Sequence, residues 1–199
     1  MALTPVPDDH VATIVTTLEM TERPRPAPVP PSPLQLVRWE RPDSARYRAL
    51  FRRVGAPWLW FSRLVMEKAA LRAILDDDSV HIYAVVDRNR VEVGMLELDF
   101  REPGQCELGF VGLVPEWTGK GQGGWLMRQA LALAWRADVS RVWVHTCTLD
   151  HPSALGFYRR FRFTPIRRTV ELFVDPRLIG ALPGDSAPQI PCLGAASRR

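Results

Sequence analysis

The chain has 199 residues, 46% of them hydrophobic, which suits one domain with tails around a single substantial core rather than two domains. Lys plus Arg number 26 against 22 Asp plus Glu, a formal charge of +4 with Lys68 and Lys120 the only lysines; this suits a polyanionic small molecule, but no basic run with interleaved aromatics points to nucleic acid. No apolar run approaches the roughly 18 residues of a membrane span, the N-terminus has no basic and apolar leader, and Cys106, Cys147 and Cys192 lack disulfide-framework or metal-ligand spacing, so a soluble cytoplasmic protein without a metal is expected.

Residues 1–33 read as a Pro-rich N-terminal arm. Pro5, Pro7, Pro24, Pro26, Pro28, Pro30, Pro31 and Pro33 leave little room for regular structure, although residues 11–20 can form a short strand or helix. The expectation for this arm is disorder or a path along the surface. Residues 34–39 read as a first strand, and Pro42-Asp43-Ser44 supplies helix-start chemistry for 45–54. After the break at Gly55-Ala56-Pro57, Phe61, Leu64, Val65, Leu71, Ile74 and Leu75 fall near helical spacing and predict one helix over 60–75.

Strands are expected at 80–87 and 91–101, joined at Arg88-Asn89. In the second, Leu96, Leu98 and Phe100 alternate with Glu97, Asp99 and Arg101, while Val91 and Val93 have the opposite parity, which marks Gly94 as a bulge. A turn at 102–105 leads into a strand at 106–114. There follow a helix over 124–137, a strand at 142–148, a helix at 152–160 and a last strand at 163–174. Residues 34–175 thus form the domain, and 176–199 form a C-terminal tail rich in Pro, Gly and Ala that ends on Ser197, Arg198 and Arg199 and is not expected to be well ordered.

The stretch LGFVGLVPEWTGKGQGGWLM, residues 108–127, joins an apolar strand to a helix through a glycine-rich loop. Glycines without a Cβ let successive N–H groups turn inward, and the first amides of the following helix add unpaired donors and a positive dipole end, so the loop suits a phosphate. A plain tight turn would seldom use so many glycines. A Walker A loop is excluded, because Lys120 precedes the last glycines and no Ser or Thr follows it. Gly119, Gly121 and Gly124 satisfy G-x-G-x-x-G, but Asp138 precedes the next strand and the upstream strands are antiparallel, which is wrong for a dinucleotide fold.

Two motifs at the right separation resemble the GCN5-related N-acetyltransferase (GNAT) superfamily. Thr118-Gly119-Lys120-Gly121-Gln122-Gly123 matches its [Q/R]-x-x-G-x-[G/A] pyrophosphate loop, and His151, Ala154, Tyr158 and Arg162-Phe163 match its N-x-x-A-x-x-x-Y segment and following G-F pair. The resemblance covers roughly 34–174. It implies an α+β, three-layer fold: a mixed, mostly antiparallel sheet with a central splayed strand pair, flanked by helices. Thr118 stands where Gln or Arg is usual, shifting expected phosphate contacts onto the backbone from Gly119 to Gly124, with Gly121 and Gly123 the most sensitive positions. His151 stands for Asn and Arg162 for Gly. The family commonly ends in two strands after the tyrosine and this chain shows one, so the tail, or a partner chain in a homodimer, is expected to complete the sheet.

The resemblance further implies acetyl transfer from acetyl-CoA to the amine of a small molecule or peptide. Pantetheine would lie against Leu113 and Val114, with Thr118, Lys120, Gln122, Gly123, Gly124, His151 and Ala154 also around the cofactor. Tyr158 is the candidate acid for the leaving thiolate, against the alternative of a tyrosine packed by its ring; Glu107 is the candidate base, against a water-mediated route. His145 reads as a core or lining residue. His81 and Tyr83 are candidates to line the acceptor cleft, Trp58, Trp60 and Phe61 to roof it, and Arg128 to meet the 3′-phosphate. A CoA-binding regulatory or interaction module that has lost turnover is the alternative function.

Overall fold

The computed structural model describes residues 3–25 and 27–194; Pro26 and the polar end at Ser197, Arg198 and Arg199 lie outside the described residues. One seven-stranded sheet organises it, formed by β1 (His10–Met20), β2 (Gln35–Trp39), β3 (Val80–Val86), β4 (Glu92–Asp99), β5 (Gln105–Leu113), β6 (Arg141–Cys147) and β7 (Thr164–Val174). The spatial order is β2-β3-β4-β5-β6-β1-β7. Neighbours pair antiparallel except β5 and β6, which are parallel.

The position of β1 differs from the expected arm. This β-branched segment sits between β6 and β7, with Thr17 opposite His145 on one side and Ile14 opposite Val170 on the other. Both its faces are used: Val11 and Thr13 are buried at one end, Leu18 and Met20 at the other. The strand missing after β7 is thus supplied by the chain's own N-terminus, and the gap gives no ground for a partner chain. Residues 21–34 then carry the chain to β2 at the opposite edge, passing α4, where Ser32 Oγ donates to Gln122 Oε1 at 2.6 Å.

Five α-helices lie among the described residues: α1 (Ser44–Gly55), α2 (Ser62–Val65), α3 (Lys68–Leu75), α4 (Gln122–Ala134) and α5 (Ala154–Arg160). Asp43 starts α1 as expected, accepting from the amides of Ala45 and Arg46. The single helix expected over 60–75 is instead two. Met66 is extended (ψ 136°), and the Arg48 guanidinium donates to the carbonyls of Arg63 and Met66, replacing helical partners at the break. That break lets α2 swing over the sheet as a separate short element.

Helix α1 packs on one face of β4 and β5 and α4 on the other. Tyr47 and Phe51 on α1 and Leu126 and Met127 on α4 are fully buried, and burying each such side chain contributes about 1.5–3 kcal/mol. Close approach of α1 depends on Gly112, where a Cβ would fall 2.6 Å from Val54 Cγ1 and 3.2 Å from Trp60. The expected irregularity near Gly94 is present as a register shift beside it, opposite Val85 and Val86.

The described part of the tail is packed rather than loose. Leu182 and Ala187 are buried with Val11, Leu59 and Leu149. Arg177, whose guanidinium pairs with Asp175 at 2.6 Å, also donates to the carbonyls of Ser186, Ala187 and Ile190, bolting the segment to the end of β7.

Candidate active site

A parallel pair opens in the middle of the sheet. β5 and β6 are paired only from Gln105–Arg141 to Glu107–Trp143. Immediately after, the β4–β5 register skips Gly109, a bulge that bends β5 just where it leaves β6. The remaining residues of β5 therefore present main-chain groups to an open gap. Val114 is already committed, its N–H to Val93 and its carbonyl to Trp117. By strand alternation the groups of Leu113 point the other way, into the gap, so of the two expected contacts Leu113 is the one left available.

Above the gap, Gly119 and Gly121 adopt the left-handed conformation, with φ of 76° and 75°. A Cβ at either would meet nothing within 4 Å, so the loop surface is open. Gly123 has no such φ, and its Cβ would make only ordinary contact with Phe157 at 3.6 Å, which shifts the expected sensitivity from Gly123 to Gly119. Helix α4 starts at Gln122 with no side-chain cap, leaving its first amides free for an anion. Lys120 lies over the Trp117 ring at 5.4 Å, and Thr118 Oγ1 donates to the Val114 carbonyl. An open cradle of amides, a 13-residue helix pointing its N-terminus at it and a split strand pair fit the pyrophosphate and pantetheine of CoA.

A cavity of about 500 Å³ opens at this gap, lined by β5 from Glu107 to Leu113 and by His145 and Cys147 of β6. Tyr158, on α5, lines it and is 9% exposed, with its ring held edge-on to Phe157 and Phe163. Burial, with the Asp150 carboxylate adding, raises its phenol above the usual range, so it keeps its proton at neutral pH. Glu107 also lines the cavity, at the fork itself, and its Oε1 lies 3.2 Å from Nδ1 of His145. Glu107 raises the affinity of that imidazole for its proton; burial opposes it, and the charges of Asp150 and Glu171 add to the rise.

The roof over the cavity is aromatic. Trp60 donates from Nε1 to Asp150 at 3.0 Å, and Asp150 also accepts from Thr146 Oγ1 and the Cys147 amide, so the roof is tied to the end of β6. Trp58 packs edge-on to His151 at 5.2 Å, and Phe61 against Phe173 at 4.6 Å. Both motif positions after the loop border the cavity: Ala154 at the start of α5, and His151, whose Nδ1 accepts from the Ser153 amide at the start of that helix. Arg128 lies over Phe161, on a helix face outside the cavity lining.

One expectation fails here. His81 and Tyr83 are not in the lining; His81 packs against Phe100, where burial and the charges of Arg38 and Arg136 push its imidazole down to about 4. Glu97, which alternates with Leu96 and Leu98 along β4, is 1% exposed. It accepts from Tyr47 Oη at 2.6 Å and from Arg63 at 2.5 Å. This buried trio joins α1 and α2 to the cavity wall, and nothing local in the sequence marks it. Glu171 on β7 and Asp99, paired with Arg101, complete an acidic lining.

Among known proteins, the acetyltransferase (GNAT) family matches residues 34–163. No curated protein matches. Among solved structures, a GCN5-related N-acetyltransferase from Sphaerobacter thermophilus is 19% identical with a TM-score of 0.55, covering 81% of this chain. The chain spans only about half of that protein, 51% of its length. An aminoglycoside acetyltransferase from an uncultured soil metagenomic sample is 18% identical (TM-score 0.55; 71% of this chain, 95% of that one). A spermidine N-acetyltransferase from Vibrio cholerae is 16% identical (TM-score 0.52; 73% and 95%). At these identities the likeness shows a shared fold.

Proposed function

The chain belongs to the acetyltransferase (GNAT) family, and from that premise we propose that it transfers an acetyl group from acetyl-CoA to a small cationic amine. The observation that carries this reading is the junction of an open amide cradle, a forked parallel strand pair and a cavity lined by Tyr158, Glu107 and His145. Backbone amides from Gly119 to Gly124 would hold the pyrophosphate, with Leu113 alongside the pantetheine. Acetyl-CoA supplies the activated acyl group; the protein's residues orient the amine and manage protons.

Three proton transfers are needed. An ammonium must become an amine before it can attack, a task for the Glu107–His145 pair at the fork. The departing sulfur needs a proton, and Tyr158 carries one at neutral pH and borders the same space. The second proton of the attacking nitrogen restores the tyrosine as the amide forms.

The acceptor's character follows from the lining. Glu107, Asp150 and Glu171 favour a cation, while Trp58, Trp60, Phe61 and Phe173 suit an apolar or aromatic body. Tail residues Leu182 and Ala187 pack against Leu59 and Leu149, which line the cavity, and so support its wall from behind. Aminoglycoside and spermidine acetylation by the two neighbours fits a cationic acceptor, although their substrates carry many polar groups. The test is mass spectrometry of products after incubating acetyl-CoA with 2-phenylethylamine, hexylamine, spermidine, an aminoglycoside and a short peptide. Acetylation fastest for the first two supports the reading; acetyl-CoA binding with no product from any amine leaves a CoA-binding module instead.

A further inference from the structure

The fork holds two groups able to take the ammonium proton. We infer that His145 takes it and that Glu107 is its positioning residue, an assignment that rests on the amine-transfer reading above. Strand geometry sets the pair. Glu107 and Trp143 form the last rung before β5 and β6 part, and His145 stands two residues further along β6, on the face shared with Trp143. Its Nδ1 turns back 3.2 Å from Glu107 Oε1. With Nδ1 held at a carboxylate, the proton sits there and the lone pair is on Nε2, on the side away from Glu107.

Exposure separates the roles. The imidazole is 48% exposed and borders the cavity, whereas Glu107 is 24% exposed and turned toward the imidazole. The titratable groups facing His145 from neighbouring elements are acids: Glu107 on β5, Asp150 beyond β6 and Glu171 on β7, while β1 places the neutral Thr17 opposite it. A free carboxylate near pKa 4.3 is a poor match for an ammonium near 10, and an imidazole raised above about 6.5 is a better one. The same acids stabilise the imidazolium that forms.

The step is a single proton transfer. An N–H bond of R–NH3+ breaks, its electron pair stays on nitrogen as the nucleophilic lone pair, and the proton bonds to Nε2 of neutral His145. The imidazolium then returns its proton to solvent through its exposed edge, resetting the site.

The pH dependence of kcat/KM, measured with acetyl-CoA and the fastest amine of the panel, tests this for the wild type, His145→Gln and Glu107→Gln, alongside an NMR titration of the histidine rings. The wild type should gain activity with rising pH through a one-proton step that coincides with the His145 titration above 6.5. His145→Gln should lose about 10²-fold and the step with it, while keeping its thermal stabilisation by acetyl-CoA. In Glu107→Gln the step should persist at lower pH. Activity of His145→Gln within twofold of wild type, or a step that survives in it and disappears in Glu107→Gln, overturns the assignment and leaves acetyl transfer intact. A wild type that acetylates no amine overturns the functional reading, and this assignment with it.

Discussion

Arg63 and Glu97 show how a charged pair can shape this site without touching its chemistry. Glu97 is 1% and Arg63 13% exposed, and Arg63 also lies over the Phe110 ring at 5.3 Å. The pair raises the guanidinium further above its usual range, against the cost of its own burial. The Arg63 Nε has no hydrogen-bond partner among the described residues, so the guanidinium is held by Glu97 and the Phe110 ring. Removing one partner leaves the other charge buried, and Arg63→Met should cost about 3 kcal/mol in urea unfolding. The double variant Arg63→Met, Glu97→Gln should recover part of that loss. The alternation of Leu96, Leu98 and Phe100 was legible in the sequence, and it correctly located the strand. It gave no sign that Glu97 is buried, because both faces of β4 are covered, one by α1, and the partners of Glu97, Tyr47 and Arg63, are 50 and 34 residues away. Tyr158 was legible for the opposite reason: its motif is local, and a single short helix carries Ala154 and Tyr158 to the cavity.

At the scale of elements, the glycine loop and the strand before it were readable because strand, turn and helix start follow one another without interruption. The fork could be expected only through the resemblance, since a break in pairing between β5 and β6 involves strands separated by all of α4. Strand β1 was the harder case. Its β-branched residues allow a strand, but the prolines that flank it favour an arm, and the partners that decide the matter, β6 and β7, lie more than a hundred residues on. Its burial makes a direct prediction. Leu18 is fully buried, so Leu18→Ala should cost about 3 kcal/mol and lower the melting temperature by roughly 6–12 °C. A leucine in a loose arm would be neutral, so an unchanged melting temperature would remove β1 from the sheet.

Over the whole molecule, both chain ends converge on the domain. β1 is the strand between β6 and β7, and residues 175–194 fold back against β1, the roof and β7. Gln189 donates to the Pro57 carbonyl at 2.8 Å, linking the tail to the segment that carries Trp58 and Trp60. The expected split into arm, domain and tail followed composition, which registers proline content and not the long-range pairing that recruits these segments. The cavity is accordingly lined from the terminal thirds of the chain as well as its middle, by Thr13 and Val15 of β1 and Glu171 and Phe173 of β7, far outside the loop and tyrosine motifs.

We propose that the fork, the loop and Tyr158 together move an acetyl group to an amine. The most direct test is the initial rate of free thiol release from acetyl-CoA, with and without 2-phenylethylamine, for the wild type and Tyr158→Phe. Release should depend on the amine in the wild type and fall by about 10²-fold in Tyr158→Phe, while acetyl-CoA still stabilises both proteins against heat. Thiol release that is indifferent to the amine, or equal in the two proteins, would contradict it.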